Sequence, residues 1–318
     1  MTQPPFRPRL PPVPPAGALA SADPTPQAVR AARLALGATP LGQGRRAPDP
    51  ALDSMHLPAL PEVHPQQPAR DGGRAWLVLN AASGWRREAA LRLLDPPVSA
   101  CELAALLDRL NDWVPEVRRA AEQRLTALTP VIAPDLVAEV ALALVLRIER
   151  GGRLSPIGRA AWQALLSRPA SLAALAAALR HAQGAGVQRA ALRLLRDPAL
   201  DAALPDLAQH AAHPGLRALA LAACLNGAVV WHAGWRIDKA TQAALPDWRR
   251  RPLSVPADPG ALAQAAVGDR AAQVRKALAE GLPRLDPALA LPLAHRLAVD
   301  RNAAVRLRAG FFLDTRAG

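Results

Sequence analysis

One spacing recurs along this chain and limits what it can fold into. Val117 is followed by Ala120, Ala121 and Leu125, at offsets of +3, +4 and +8. The same offsets join Ile157 to Ala160, Ala161 and Leu165, and Val187 to Ala190, Ala191 and Leu195. Leu216 brings Leu219, Ala220 and Cys224; Val274 brings Ala277, Leu278 and Leu282; Val305 brings Arg308, Ala309 and Leu313. Such offsets line one face of an α-helix. The anchors lie 40, 30, 29, 58 and 31 residues apart, and the 58 reads as two periods of 29 with one drifted copy between. A further copy, Glu88-Ala89-Ala90-Leu91-Arg92-Leu93-Leu94, precedes the Val117 unit by about 31 residues, so about eight repeats are expected.

Each anchor helix is expected to have an earlier companion. Pro134-Asp135, Ser171, Asp258-Pro259 and Asp286-Pro287 place a capping residue or a proline where such a helix would begin. A helix pair of this length can bury its apolar face only against its neighbours, which is the definition of an α-solenoid. The expected fold is therefore all-α, an α-solenoid of helix pairs over residues 75–318. Composition agrees. Aromatics are 3% of the chain, Tyr is absent, and no long run alternates apolar with polar as a half-buried strand would.

Residues 1–74 have a different texture, with 16 of the 33 prolines. Proline at that density removes backbone donors and fixes φ, so a disordered Pro-rich tail is expected, with one short helix over 26–36. Arg9, Pro12 and Pro15 have the spacing that Pro-rich grooves read, beside the plainer reading of an unfolded spacer. Net charge is +13, nearly all from Arg, since Lys239 and Lys276 are the only lysines. By segment the balance is +3 over 1–74, −1 over 75–150, +5 over 151–230 and +6 over 231–318. A positive field on the C-terminal half attracts anions, either nucleic acid or an acidic protein face. Cys101 and Cys224 each fall in an apolar helical pattern, which predicts two buried thiols and no disulfide. The start of the chain lacks a signal-peptide core, and apolar stretches such as Leu136–Ile148 are too short to cross a bilayer. A cytoplasmic chain, without a membrane partner and monomeric, is expected.

The segment Asp112-Trp113-Val114-Pro115-Glu116-Val117-Arg118-Arg119-Ala120 resembles the HEAT repeat of the phycobilisome-lyase type: Asp, four spacers, Val-Arg, then small residues. Asp269 with Val274-Arg275 and Asp300 with Val305-Arg306 repeat it. The Asp can accept from free amides at the second helix's N-terminus, and the Arg can reach a neighbouring repeat's carboxylate. The resemblance implies a scaffold. HEAT arrays mostly bind proteins, some bind nucleic acid, and few are enzymes.

Catalytic signatures are missing from the sequence. There is no phosphate-binding loop ending in Lys-Ser/Thr, no Gly-x-Ser-x-Gly elbow and no dinucleotide fingerprint. Asp206, His210 and His213 are the nearest approach to a metal-ligand cluster, and a thin one, so no metal or other cofactor is expected. HEAT-type deoxyhypusine hydroxylases carry His-Glu motifs, and none of the seven histidines here precedes Glu. HEAT-like alkylpurine DNA glycosylases use Trp, Asp and Arg; Trp231, Trp235, Arg236 and Asp238 supply those types, but in one cluster.

Residues 226–257 depart from the repeat, as a degenerate copy or an insertion. They hold three of the seven tryptophans, and the offsets from Ile237 to Ala240, Thr241 and Leu245 predict a helix between two loops. Trp and Arg are enriched in binding hot spots and also form stacking platforms for single strands. Trp231, His232, Trp235, Arg236, Trp248, Arg249, Arg250 and Arg251 are thus candidate partner-binding residues, against the plainer reading that the tryptophans fill a gap in the core. Arg118, Arg119, Arg275, Lys276, Arg306 and Arg308 recur once per repeat and could stack into a basic stripe, or simply pair within each repeat. The expected function is a non-catalytic adaptor that binds another protein, an acidic one where charge takes part, on its concave surface. The alternative is a nucleic-acid-binding solenoid.

Overall fold

The computed structural model describes residues 75–317, apart from 77, 185, 240 and 241. The Pro-rich tail over 1–74 and the helix over 26–36 lie outside the described residues. The rest is mostly helical, with one small sheet. The helices are α1 Gly84–Leu93, α2 Ala100–Arg109, α3 Pro115–Leu128, α4 Pro134–Glu149, α5 Pro156–Leu166, α6 Pro169–His181 and α7 Val187–Leu194. They continue as α8 Leu204–His210, α9 Pro214–Asn226, α10 Pro259–Ala266, α11 Ala272–Gly281, α12 Pro287–Ala298 and α13 Ala303–Ala317. A 3-10 turn, Pro198–Ala203, leads into α8, and another, Leu282–Arg284, follows α11.

Proline opens most of these helices because its fixed φ suits the first turn and its missing N–H would have no partner there. Ser99, Ser155, Asp258 and Asp286 cap their helices by accepting from backbone amides of the first turn. Ser171 is not a start signal: α6 begins at Pro169, and Ser171 is buried inside its first turn.

Most helices pack on the helix two places along the chain. α1, α3 and α5 form one such row; α2, α4, α6, α8 and α10 form another; α7, α9, α11 and α13 form a third, with α7 resting on α4. The buried apolar side chains form one continuous cluster from Ala75 to Phe312. Val117, Val274 and Val305 are fully buried in it. Ile157 is not: it is 66% exposed, and Gly158 is buried beside it, while Ala161 and Leu165 at +4 and +8 are buried as the repeat predicts. A Cβ at Gly158 would come within 3.1 Å of Leu154 and 3.3 Å of Glu122, so this close approach depends on glycine.

The 58-residue interval holds no drifted repeat. α9 packs directly on α11, so Leu216 and Val274 sit on adjoining helices of one row, and the extra length is a β-hairpin. Six helix pairs follow α1 among the described residues, rather than eight repeats over the chain.

The Asp and Arg residues of the repeat join one unit to the next. The Arg217 guanidinium donates to both oxygens of Asp269, at 2.8 and 3.0 Å. Arg275 makes the same two-pronged contact to Asp300, and Arg87 to Asp112. Each carboxylate also accepts from the amide two residues on, namely Val114, Ala271 and Asn302. Each arginine's remaining Nη1 donates to the carbonyl six residues before it: Arg87 to Ala81, Arg217 to Ala211 and Arg275 to Asp269. Arg118 and Arg306 keep this last bond, to Asp112 and Asp300. The Arg275 hydrogen bonds hold the Asp300 carboxyl below its ordinary value. Burial pushes the Asp269 carboxyl up, but Arg217 and the Ala271 amide outweigh it and bring it down. Removing one partner from such a buried pair costs about 3–5 kcal/mol, because the other charge is stranded. In the α5 unit glycine stands at both positions, Gly152 and Gly158, and the buried Glu122 accepts instead from the Ser155 hydroxyl; in the α7 unit they are Ala182 and Gln188.

Candidate interaction site

The irregular segment is a two-stranded antiparallel hairpin, β1 Ala228–Ile237 and β2 Ala244–Pro252, not the expected helix and loops. The chain leaves α9 through Gly227, whose positive φ of 58° lets its amide close the helix onto Ala223 and Cys224. The Gly227 carbonyl then accepts from Leu253, which closes the hairpin's base. A bulge between His232 and Gly234, with Gly234 at φ 150°, shifts the register midway.

The base is anchored firmly. Arg251 donates to both oxygens of Asp201, at 2.8 and 2.6 Å, and to the Leu195 carbonyl. Asp201 has no exposed side-chain surface and also accepts from the Ser254 amide and hydroxyl. Burial raises this carboxyl, but those donors outweigh it and its pKa is lowered. Ala228 and Val229 are buried, and Trp231 packs against the core with the Arg196 guanidinium 5.0 Å from its ring centre. Burial, with the Asp201 charge second, pushes the nearby Cys224 thiol up to about 11, so it stays protonated at neutral pH. Trp231 and Arg251, both half-buried, therefore hold the hairpin on the helices. Cys101, expected to be buried, is exposed.

Beyond the base the ribbon leaves the helices. Alternation along the strands puts Val230, His232, Trp235 and Ile237 of β1 on one face with Trp248 and Arg250 of β2. The His232 ring lies edge-on to both indoles, at 5.3 Å from Trp235 and 5.4 Å from Trp248. Trp235 is 69% exposed, Trp248 63% and Ile237 60%. Where this face meets the helices, Asn226, Val230, Trp248, Arg249, Arg250 and Arg284 line a pocket of about 170 Å³. Arg249 pairs with Asp247 on its own strand. Among the described residues neither Arg236 nor Arg250 has an acidic partner, and both are exposed.

The six candidates for a basic stripe are mostly engaged within the helices. Arg275 is buried against Asp300, and Arg118 and Arg306 are turned onto backbone carbonyls. Arg119 pairs with Glu116, while Lys276 and Arg308 share Glu280. Four of the six are thus paired with acidic side chains, while Arg118 and Arg306 have none among the described residues. Asp206 is held by Arg180 and His210, and the His213 ring accepts from the Gly215 amide at the start of α9. Among the described residues no group of three or more His, Cys, Asp or Glu side chains could hold a metal ion. Nor is any described helix long and apolar enough to cross a membrane.

No protein-family model matches the chain, and no curated protein matches it.

The ribbon face and its root bring Trp235, Trp248 and Arg250, which the sequence pattern singled out, together with Val230, Ile237, Asn226 and Arg284, which it did not. The run Val229-Val230-Trp231 and the pair Trp235 and Ile237 carry a strand signal that the arginine triplet and two glycines obscured.

Proposed function

We propose that the chain is a non-catalytic, HEAT-like solenoid adaptor of the cytoplasm, and that it captures another protein through the outer face of its hairpin. One observation carries this reading: a two-stranded ribbon leaves the helices with two tryptophans and an isoleucine each more than half exposed. Isolated two-stranded hairpins are marginal in water, and contiguous apolar surface of this kind marks interaction sites. The helices anchor the base and leave the face open, as expected of a binding element carried on a rigid scaffold. The expected concave-surface site moves accordingly to the ribbon.

A second copy of this chain is a poor occupant. It would bring Arg250 and Arg284 against themselves on a chain of net charge +13. A phosphate backbone fits less well than a protein, because four of the six recurring helix cations are paired with acidic side chains and aliphatic Val230 and Ile237 share the face.

The test is recovery of partners from the native cell by the full chain and by a Trp235→Ala/Trp248→Ala variant. A protein bound in defined stoichiometry by the former and lost from the latter is expected, with unchanged circular dichroism. Equal recovery by both would contradict the reading. Retention of nucleic acid alone, weakening linearly in a log–log salt plot, would replace it with a nucleic-acid-binding role.

A further inference from the structure

The pocket at the root of the hairpin gives this docking face a chemical preference. It lies where the apolar face ends, and two elements far apart in sequence build it: β2 contributes Trp248, Arg249 and Arg250, and the turn after α11 contributes Arg284. Asn226, at the end of α9, adds an amide, and Val230 and Trp248 supply apolar wall. Arg250 has no acidic partner among the described residues, and the one hydrogen bond Arg284 donates, to the Glu280 carbonyl, is long at 3.3 Å. Arg87 and Arg109, by comparison, meet around the Asp112 carboxylate. Here Arg249, Arg250 and Arg284 line one pocket without a lining carboxylate among the described residues, and of the three only Arg249 is paired, with Asp247 outside it.

We infer that this pocket receives a carboxylate side chain of the protein partner, while neighbouring apolar side chains of the same segment lie along Trp248, His232 and Trp235. The inference rests on the adaptor reading and specifies the partner's docking segment: an acidic residue flanked by apolar ones. The geometry suits an extended segment. Same-side residues of a strand recur about every 7 Å, so alternating acidic and apolar positions can meet the pocket and the aromatic shelf in turn. A guanidinium prefers carboxylate in a two-pronged contact, and partial exclusion of water by Trp248 and Val230 strengthens it. A polyanion would need a row of free cations, and this surface offers one basic pocket beside an apolar shelf.

The experiment uses the full chain and labelled peptides of about ten residues, the length of β1, read by fluorescence anisotropy. One peptide alternates Glu with Leu, a second replaces each Glu by Gln, and an oligothymidine is the third probe. The Glu peptide should bind about tenfold or more tighter than the Gln peptide. Arg250→Gln/Arg284→Gln should bring the two peptides to equal affinity. Trp235→Ala/Trp248→Ala should weaken both by a similar factor and leave their ratio intact. Equal binding of Glu and Gln peptides, still sensitive to the tryptophans, would overturn the carboxylate pocket and leave the adaptor reading standing. Binding that neither pair of substitutions alters, or no binding of the Glu peptide, would overturn both. Tighter binding of the oligothymidine than of the Glu peptide, lost in the arginine variant, would also overturn both, in favour of a nucleic-acid partner. All substituted residues except Arg284 lie on the exposed ribbon, and an unchanged melting curve verifies each variant's fold.

Discussion

Arg275 and Arg250 are the same residue type in opposite roles. Arg275 lies between adjoining helices, its guanidinium divided between Asp300 and the Asp269 carbonyl. Arg250 stands on a ribbon with no acidic partner among the described residues, beside a pocket and two open indoles. The contrast shows why net basicity says so little about partners here. Four of the six recurring helix cations are paired with acidic side chains, whereas Arg250 is left without one beside the open indoles. The two regions should respond oppositely to mutation, one losing the fold and the other losing only the partner.

The largest effect is expected from Asp300→Ala. It strands the buried Arg275 guanidinium and should destabilise the chain by about 3–5 kcal/mol in urea titrations. A loss below about 1 kcal/mol would mean that the pair is an ornament of the surface. Asp201→Ala should act next, at about 1–3 kcal/mol, by leaving Arg251 and Ser254 without their acceptor. Here the signature is local: amides of β1 and β2 should exchange faster while those of α3 and α4 keep their protection. Uniform loosening would show that the hairpin is integral to the helical core.

Acid separates the regions more gently. Asp269, Asp300 and Asp201 all titrate below the ordinary carboxylate value of 3.8 when folded. Their contribution is complete above that value and declines as pH falls through it toward the depressed folded values. Stability should therefore begin to fall below about pH 4–5, and Asp300→Asn should flatten part of that slope. An unchanged acid profile in the Asp300→Asn variant would remove this pair from the explanation.

The helices were legible because burial imprints a period. Val117, Ala121 and Leu125 face the core, and so do Val274, Leu278 and Leu282. The repeated Asp and Val-Arg positions were legible because each sits next to such an anchor. The hairpin was hidden for the complementary reason. A strand shows alternation only when one of its faces is buried, and beyond Trp231 both faces of this ribbon are open. Its insertion also stretched the interval from Leu216 to Val274, which mimicked a doubled period. Asp201 and Arg251 could not be paired by spacing, since 50 residues separate them. The exposure of Ile157 was equally invisible, because it fits the apolar pattern while its neighbour Gly158 makes the contact.

The most direct measurement removes the ribbon and keeps its root. Trp231 and Arg249 face each other across the sheet, so residues 232–248 can be replaced by a tight Asn-Gly turn that joins them. Calorimetry of this shortened chain should give one cooperative transition close to that of the full chain, with capture of the protein partner abolished. A broad or strongly lowered transition would mean that the tryptophans belong to the core, and undiminished capture would place the docking surface elsewhere.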